Sequence, residues 1–161
     1  MIRRVALAVA ALLVAVAAAP ARAGDRKLEV LFVNMTPDAA STPASKACVR
    51  AIEKRVAEDY TELQRMGETK LRSLAGKSAG EPFMSWPRAA LDGAPRQRDP
   101  IAVDAILLVD CRPETKTLDV LVAPAANGLV RLRLRRVPLD AAALKLVAEA
   151  LLRRAWSGFM V

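Results

Sequence analysis

The chain contains no histidine. That absence removes the Ser-His-Asp and Cys-His forms of nucleophilic catalysis and every metal site built on imidazole. Its two cysteines, Cys48 and Cys111, cannot complete a zinc site by themselves. Aromatic residues are scarce, with three Phe, two Trp and one Tyr in 161 residues, so the core is aliphatic and each large ring stands out. Glycine is also sparse. "SLAGK" and "SAGEP" each hold an isolated glycine and make no phosphate-binding loop. Ser73, Ser78, Ser85 and Ser157 stand in no nucleophile context, and "AWSGF" lacks the first glycine of a nucleophile elbow. The residues supply no cofactor motif and no metal-ligand set.

What is present begins with a leader. Arg3 and Arg4 precede an apolar run from Val5 to Ala19, followed by Pro20 and the small-residue pattern Ala21-Arg22-Ala23. This is the layout of a secretory signal peptide over residues 1–23. The apolar run is short for a membrane span, which needs about 20 residues. Cleavage after Ala23 leaves Gly24–Val161, long enough for one domain with its own core. It removes three of the 25 basic residues and none of the 17 acidic ones, leaving a net charge of +5. An exported chain of this charge is not expected to meet nucleic acid. The partners it implies are an envelope protein or an anionic surface. In an oxidising compartment the two cysteines read as one disulfide, Cys48–Cys111.

The pattern along the chain predicts an α+β domain. "KLEVLFV" (Lys27–Val33) is a first strand. Thr42 and Pro43 start a helix, and Val49, Ile52, Val56, Tyr60 and Leu63 carry its apolar stripe to Met66. A short helix follows over "ETKLRSLAG". Residues 76–100, with four prolines and no clean period, read as a long surface loop. Strands follow at Ile101–Cys111, over "KTLDVLVA", and over "LVRLRLRRV". Asp140 caps a last helix whose stripe includes Leu144, Val147, Leu151 and Ala155. The expected architecture is a four-stranded, mainly antiparallel sheet with two main helices on one face. If the Ile101 strand runs parallel to the first, Cys48 and Cys111 meet under the first helix.

Three groups of residues are candidate sites. "VRLRLRRV" places Arg131, Arg133 and Arg135 on one face of a strand and Val130, Leu132 and Leu134 on the other. A three-residue loop ending in Gly128 puts Val122 opposite Leu132, Val120 opposite Leu134 and Asp119 opposite Arg135. The arginine row is then a solvated face paired with carboxylates, or a face for an anionic ligand such as a lipid head group or acidic cell-wall polymer. Cross-strand pairing favours the first. Asp104, Asp110, Glu114 and Asp119 are the second group. Asp110 facing Asp119 could share a proton, but an arginine beside the pair would neutralise it. The third group is the loop "EPFMSWPRAAL", with Phe83, Trp86 and Arg88, and with Arg96 and Arg98 further on. It can dock a partner, or tuck its rings into the core; burial of scarce aromatics favours the second.

The stretches "VDAILLVDC", "TLDVLVA", "GLVRLRLRRV" and "LDAAALKLVAEALLRRAWSG" resemble the small α/β domain at the N-terminus of the periplasmic protein TolB and the related core of curli-secretion CsgG-type proteins. The resemblance is one of pattern over the last third of the chain. It implies an envelope protein that works through protein partners and not through catalysis. The expected function is therefore a non-enzymatic accessory or interaction domain, periplasmic or secreted. Anion binding through arginines is the alternative, and a hydrolase a distant one.

Overall fold

Alternation of apolar residues on both faces of the central strands builds the sheet. The computed structural model describes residues 27–58, 61–96, 103–124 and 128–157. The expected leader at residues 1–23, the expected mature start at Gly24, Arg98 and most of the hairpin loop lie outside the described residues. Among the described residues five strands form one sheet: β1 (Leu28–Asn34), β2 (Thr61–Arg65), β3 (Ala105–Arg112), β4 (Thr117–Pro124) and β5 (Val130–Arg135). Their order is β2-β1-β3-β4-β5. β1 runs parallel to β2 and β3, while β4 and β5 are antiparallel additions.

The α+β class stands, but the sheet expected from sequence is corrected in two ways. It has a fifth strand, and its β1–β2 and β1–β3 pairings are parallel. The helix that begins at Pro43 is α1 (Pro43–Ala57), not a helix reaching Met66. Thr42 and Ser45 close its N-terminus as a reciprocal capping pair, with Pro43 in the first turn. At Glu58 the backbone is already extended, and Thr61–Arg65 becomes the edge strand β2. Leu63 keeps its place against the core from a strand instead of a helix.

The helices lie on both faces, not on one. α1 and α4 (Ala141–Ser157) cover one face. Cys48, Val49, Ile52 and Val56 of α1, with Leu144, Ala148 and Leu151 of α4, pack on Val30, Phe32, Leu107, Val109, Leu118 and Val120. Asp140 Oδ1 accepts the Ala143 N–H at 2.8 Å and caps α4. The expected surface loop at 76–100 is largely a second layer on the other face. α2 (Glu68–Leu74), a single 3₁₀ turn at Phe83–Ser85, and α3 (Arg88–Arg96) carry Leu71, Phe83, Trp86 and Leu91 onto Leu31, Val33, Ile106, Leu108 and Leu121. Trp86 and Leu91 are fully buried.

A disulfide joins Cys48 of α1 to Cys111 of β3, with a Cα–Cα separation of 6.2 Å, inside the range a bridge needs. The parallel β1–β3 pairing makes this possible, because it puts the start of α1 and the end of β3 at the same end of the sheet. The same corner is tied by a hydrogen bond from the Thr42 hydroxyl to the Glu114 carboxylate in the β3–β4 turn. That bond holds the Glu114 carboxyl below the ordinary glutamate range.

Candidate binding site

Two connections leave β1 and its neighbours in opposite directions. α1 carries the chain from β1 to β2 on one face, while the α2–α3 segment carries it from β2 past β1 to β3 on the other. The sheet order therefore reverses between β1 and β3. In open α/β sheets, crevices outside the carboxyl ends of the strands at such a reversal are where ligands bind.

A cleft of about 230 Å³ lies there. Met35 and Pro37, just past β1, line one part of it. Pro82, Phe83 and Met84 give it an apolar wall, and Glu68, Arg72 and Glu81 a charged one. Its floor is a row across three strands. Asp110 of β3 stands opposite Asp119 of β4, and Asp119 opposite Arg133 of β5. Arg133 holds Asp119 through two bonds, Nε to Oδ1 at 2.8 Å and Nη2 to Oδ2 at 3.0 Å. Arg112 holds Asp110 in the same way, with Nη2 to Oδ2 at 2.8 Å and Nε shared between both oxygens at 3.1 Å. These charge-assisted bonds raise the pKa of both guanidiniums, against the burial that lowers it.

The expected Asp110–Asp119 juxtaposition is present, and so is the neutralising arginine, though a different one. Asp119 pairs with Arg133, not Arg135, and Val120 and Val122 lie opposite Leu132 and Val130. The hairpin register is offset by two residues from the one expected. A two-residue offset keeps every side chain on its face, so the apolar and arginine faces of β5 are those read from sequence. Asp104 and Glu114 are engaged elsewhere. Asp104 Oδ2 accepts the Glu29 N–H at 3.0 Å where β1 begins, and Glu114 accepts from Thr42. All four carboxylates thus have structural partners.

The arginine row and the aromatic loop engage each other. Arg131 donates from Nε to Met84 O and from Nη2 to Trp86 O, both at 2.8 Å. Arg88 donates from Nη1 to Gly128 O at 2.7 Å. Phe83 and Trp86 point into the core, and Arg72 sits 5.3 Å from the Trp86 ring centroid. Arg96 ends α3. Of the row only Arg133 lines the cleft. Arg112, the second cation of the cleft floor, was missed in the sequence. Its signal was there: "DCR" puts it two residues after Asp110, on the same strand face.

A second feature lies at the sheet margin. The Arg136 N–H donates to Lys116 O at 2.9 Å, which sets the phase of the β4–β5 ladder. Thr117–Arg135, Asp119–Arg133 and Leu121–Arg131 are then non-hydrogen-bonded pairs. Side chains come closest in such pairs, which explains the two-bond Asp119–Arg133 contact. The backbone N–H and C=O groups of Arg131, Arg133 and Arg135 point away from β4, toward the open edge. Among the described residues no backbone hydrogen bond occupies that edge. Val130, Leu132 and Leu134 are half-buried, whereas Leu118 and Val120 beside them on β4 are 0% exposed.

No protein-family model matches the chain, and no curated protein matches it.

Proposed function

We propose that this chain is an exported domain of the bacterial envelope that works by binding a protein partner and not by catalysis. The β5 edge carries this reading. It offers the outward backbone groups of three arginines, flanked by an aliphatic row that the domain leaves half-covered. An unpaired edge of this kind is a template for an added strand. An extended segment alternating carboxylates with aliphatic residues fits it best. Its carboxylates would face Arg133 and Arg135 as Asp119 already faces Arg133, and its aliphatic side chains would cover Leu132 and Leu134. A second copy of β5 would bring arginine against arginine and is disfavoured.

Other observations support the same reading. The cationic n-region and Ala21-Arg22-Ala23 suit export, and a disulfide suits an oxidising compartment. Among the described residues no helix is long and apolar enough to cross a membrane. The facing carboxylates of the cleft are each neutralised by a guanidinium, which suits structure better than proton transfer. The pattern resemblance to TolB and CsgG-type domains points to an envelope protein working through partners. The test is site-specific photocrosslinking in the intact envelope. A photoreactive residue at Arg135 is expected to give a discrete protein adduct, and one at Lys145, exposed on α4, is not. Equal adducts from both positions, or none from Arg135, would contradict the proposal.

A further inference from the structure

The cleft at the β1–β3 reversal has a polar inventory that singles out one kind of ligand. Each carboxylate in it already has a cation. Glu68 accepts from Arg72 at 2.7 Å, Glu81 from Lys77 at 2.9 Å, Asp110 from Arg112 and Asp119 from Arg133. Arg72 is spent as well, since its Nη1 donates to the carbonyls of Ser78 and Glu81. The groups left over are donors. Arg112 and Arg133 use Nε and Nη2 on their aspartates, and the Nη1 of each has no partner among the described residues.

Burial shows which way these groups turn. The side chains of Asp110 and Asp119 are 12% and 14% exposed, those of Arg112 and Arg133 40% and 46%. The carboxylates are therefore sunk in the floor and fix the guanidiniums above them. A guanidinium held along one edge by a carboxylate loses little freedom when its other edge binds, which is the preorganisation that gives affinity. Beside these donors stands an apolar wall of Met35, Pro82, Phe83 and Met84. The cleft is smaller than the roughly 300–1,000 Å³ of pockets for drug-sized ligands.

We infer that this cleft binds a small organic carboxylate, its two oxygens on Arg112 and Arg133 and its apolar body against Met35, Phe83 and Met84. Of the arginine row only Arg133 belongs to this site, since Arg131 and Arg135 do not line it, and the ligand would use the Arg133 side chain, not the outward backbone groups of the β5 edge. A cation is a poor fit, since the acidic groups are already matched. A bare inorganic anion leaves the apolar wall unused.

The test is an NMR titration of the oxidised, exported chain with benzoate, with benzamide as its neutral counterpart and with inorganic phosphate, all at one ionic strength. Saturable benzoate shifts at the Arg112 and Arg133 Nε–H and at the Met35 and Met84 methyl groups are expected, with no comparable shifts from benzamide. Arg112→Lys keeps the charge beside Asp110 but loses the fork, and is expected to weaken benzoate by about tenfold or more. Arg135→Lys, outside the cleft, is expected to leave it unchanged. Absence of saturable benzoate binding would overturn the assignment. So would equal binding of benzamide, phosphate binding as tight as benzoate, or an unaltered affinity in a folded Arg112→Lys chain.

Discussion

Reducing the Cys48–Cys111 bridge should cost a large part of the margin by which the domain is stable. The bridge spans 63 positions of sequence. It encloses β2, the whole α2–α3 layer and the crossing from one face of the sheet to the other. Freeing a loop of that length returns chain entropy to the unfolded state worth about 4 kcal/mol. Domains of this size have about 5–15 kcal/mol in all. Reduction is a cleaner perturbation than replacement by alanine, because both sulfurs stay in the core, where Cys48 and Cys111 are 4% and 0% exposed. Urea unfolding of oxidised and reduced protein, followed by circular dichroism, measures the difference. The reduced chain should unfold at lower urea and with a steeper slope, because its unfolded state is less compact. A difference below about 1 kcal/mol would refute the entropic reasoning. Alkylation of both thiols in unfolded, unreduced protein would refute the bridge itself.

Three more outcomes follow from particular contacts. A double-mutant cycle on Asp119→Asn and Arg133→Met should give a coupling of about 1 kcal/mol, at the upper end for a partly exposed pair because two bonds are made; zero coupling would show that the two-bond geometry does not persist in solution. Trp86→Ala should cost about 3–5 kcal/mol in urea unfolding, since the ring is fully buried, and a loss under about 1 kcal/mol would place the ring outside the core. Glu114 is held below the ordinary glutamate range by Thr42, so its stabilising contribution is present near neutrality and is lost as pH falls through its depressed folded value. Carbon-detected NMR should show it titrating lower than Glu114 in a Thr42→Ala chain, and identical titrations would remove the Thr42 tether.

Much of the fold was legible because its signals were local. The Thr42-Pro43 start of α1, the Asp140 cap and the two-residue alternation of β3, β4 and β5 need only near neighbours. β2 was hidden because Val49, Ile52, Val56, Tyr60 and Leu63 continue one three- and four-residue rhythm. Nothing nearby marks Glu58 as the helix end. What makes Thr61–Arg65 a strand is parallel pairing with β1, a contact with residues more than thirty positions away. The second layer was hidden for a related reason. Prolines broke the period of residues 76–100, yet Phe83, Trp86 and Leu91 find the sheet face through single turns. Of the site, the Asp110–Asp119 pair was readable from strand alternation. The cleft was not, because its lining comes from six separate segments. The two-residue hairpin offset exchanged Arg133 for Arg135 beside Asp119 without moving any face.

Amide hydrogen exchange on β5 tests the proposed binding edge most directly. In the free chain the Leu132 and Leu134 amides, bonded toward β4, should be protected. Those of Arg131, Arg133 and Arg135, turned to the open edge, should exchange fast. Adding a short capped peptide that alternates aspartate with valine should slow the three arginine amides, and a lysine–valine peptide should not. Protection of the arginine amides in the free chain would contradict the open edge. Equal slowing by both peptides, or by neither at saturating concentration, would contradict a strand site that selects acidic, apolar partners.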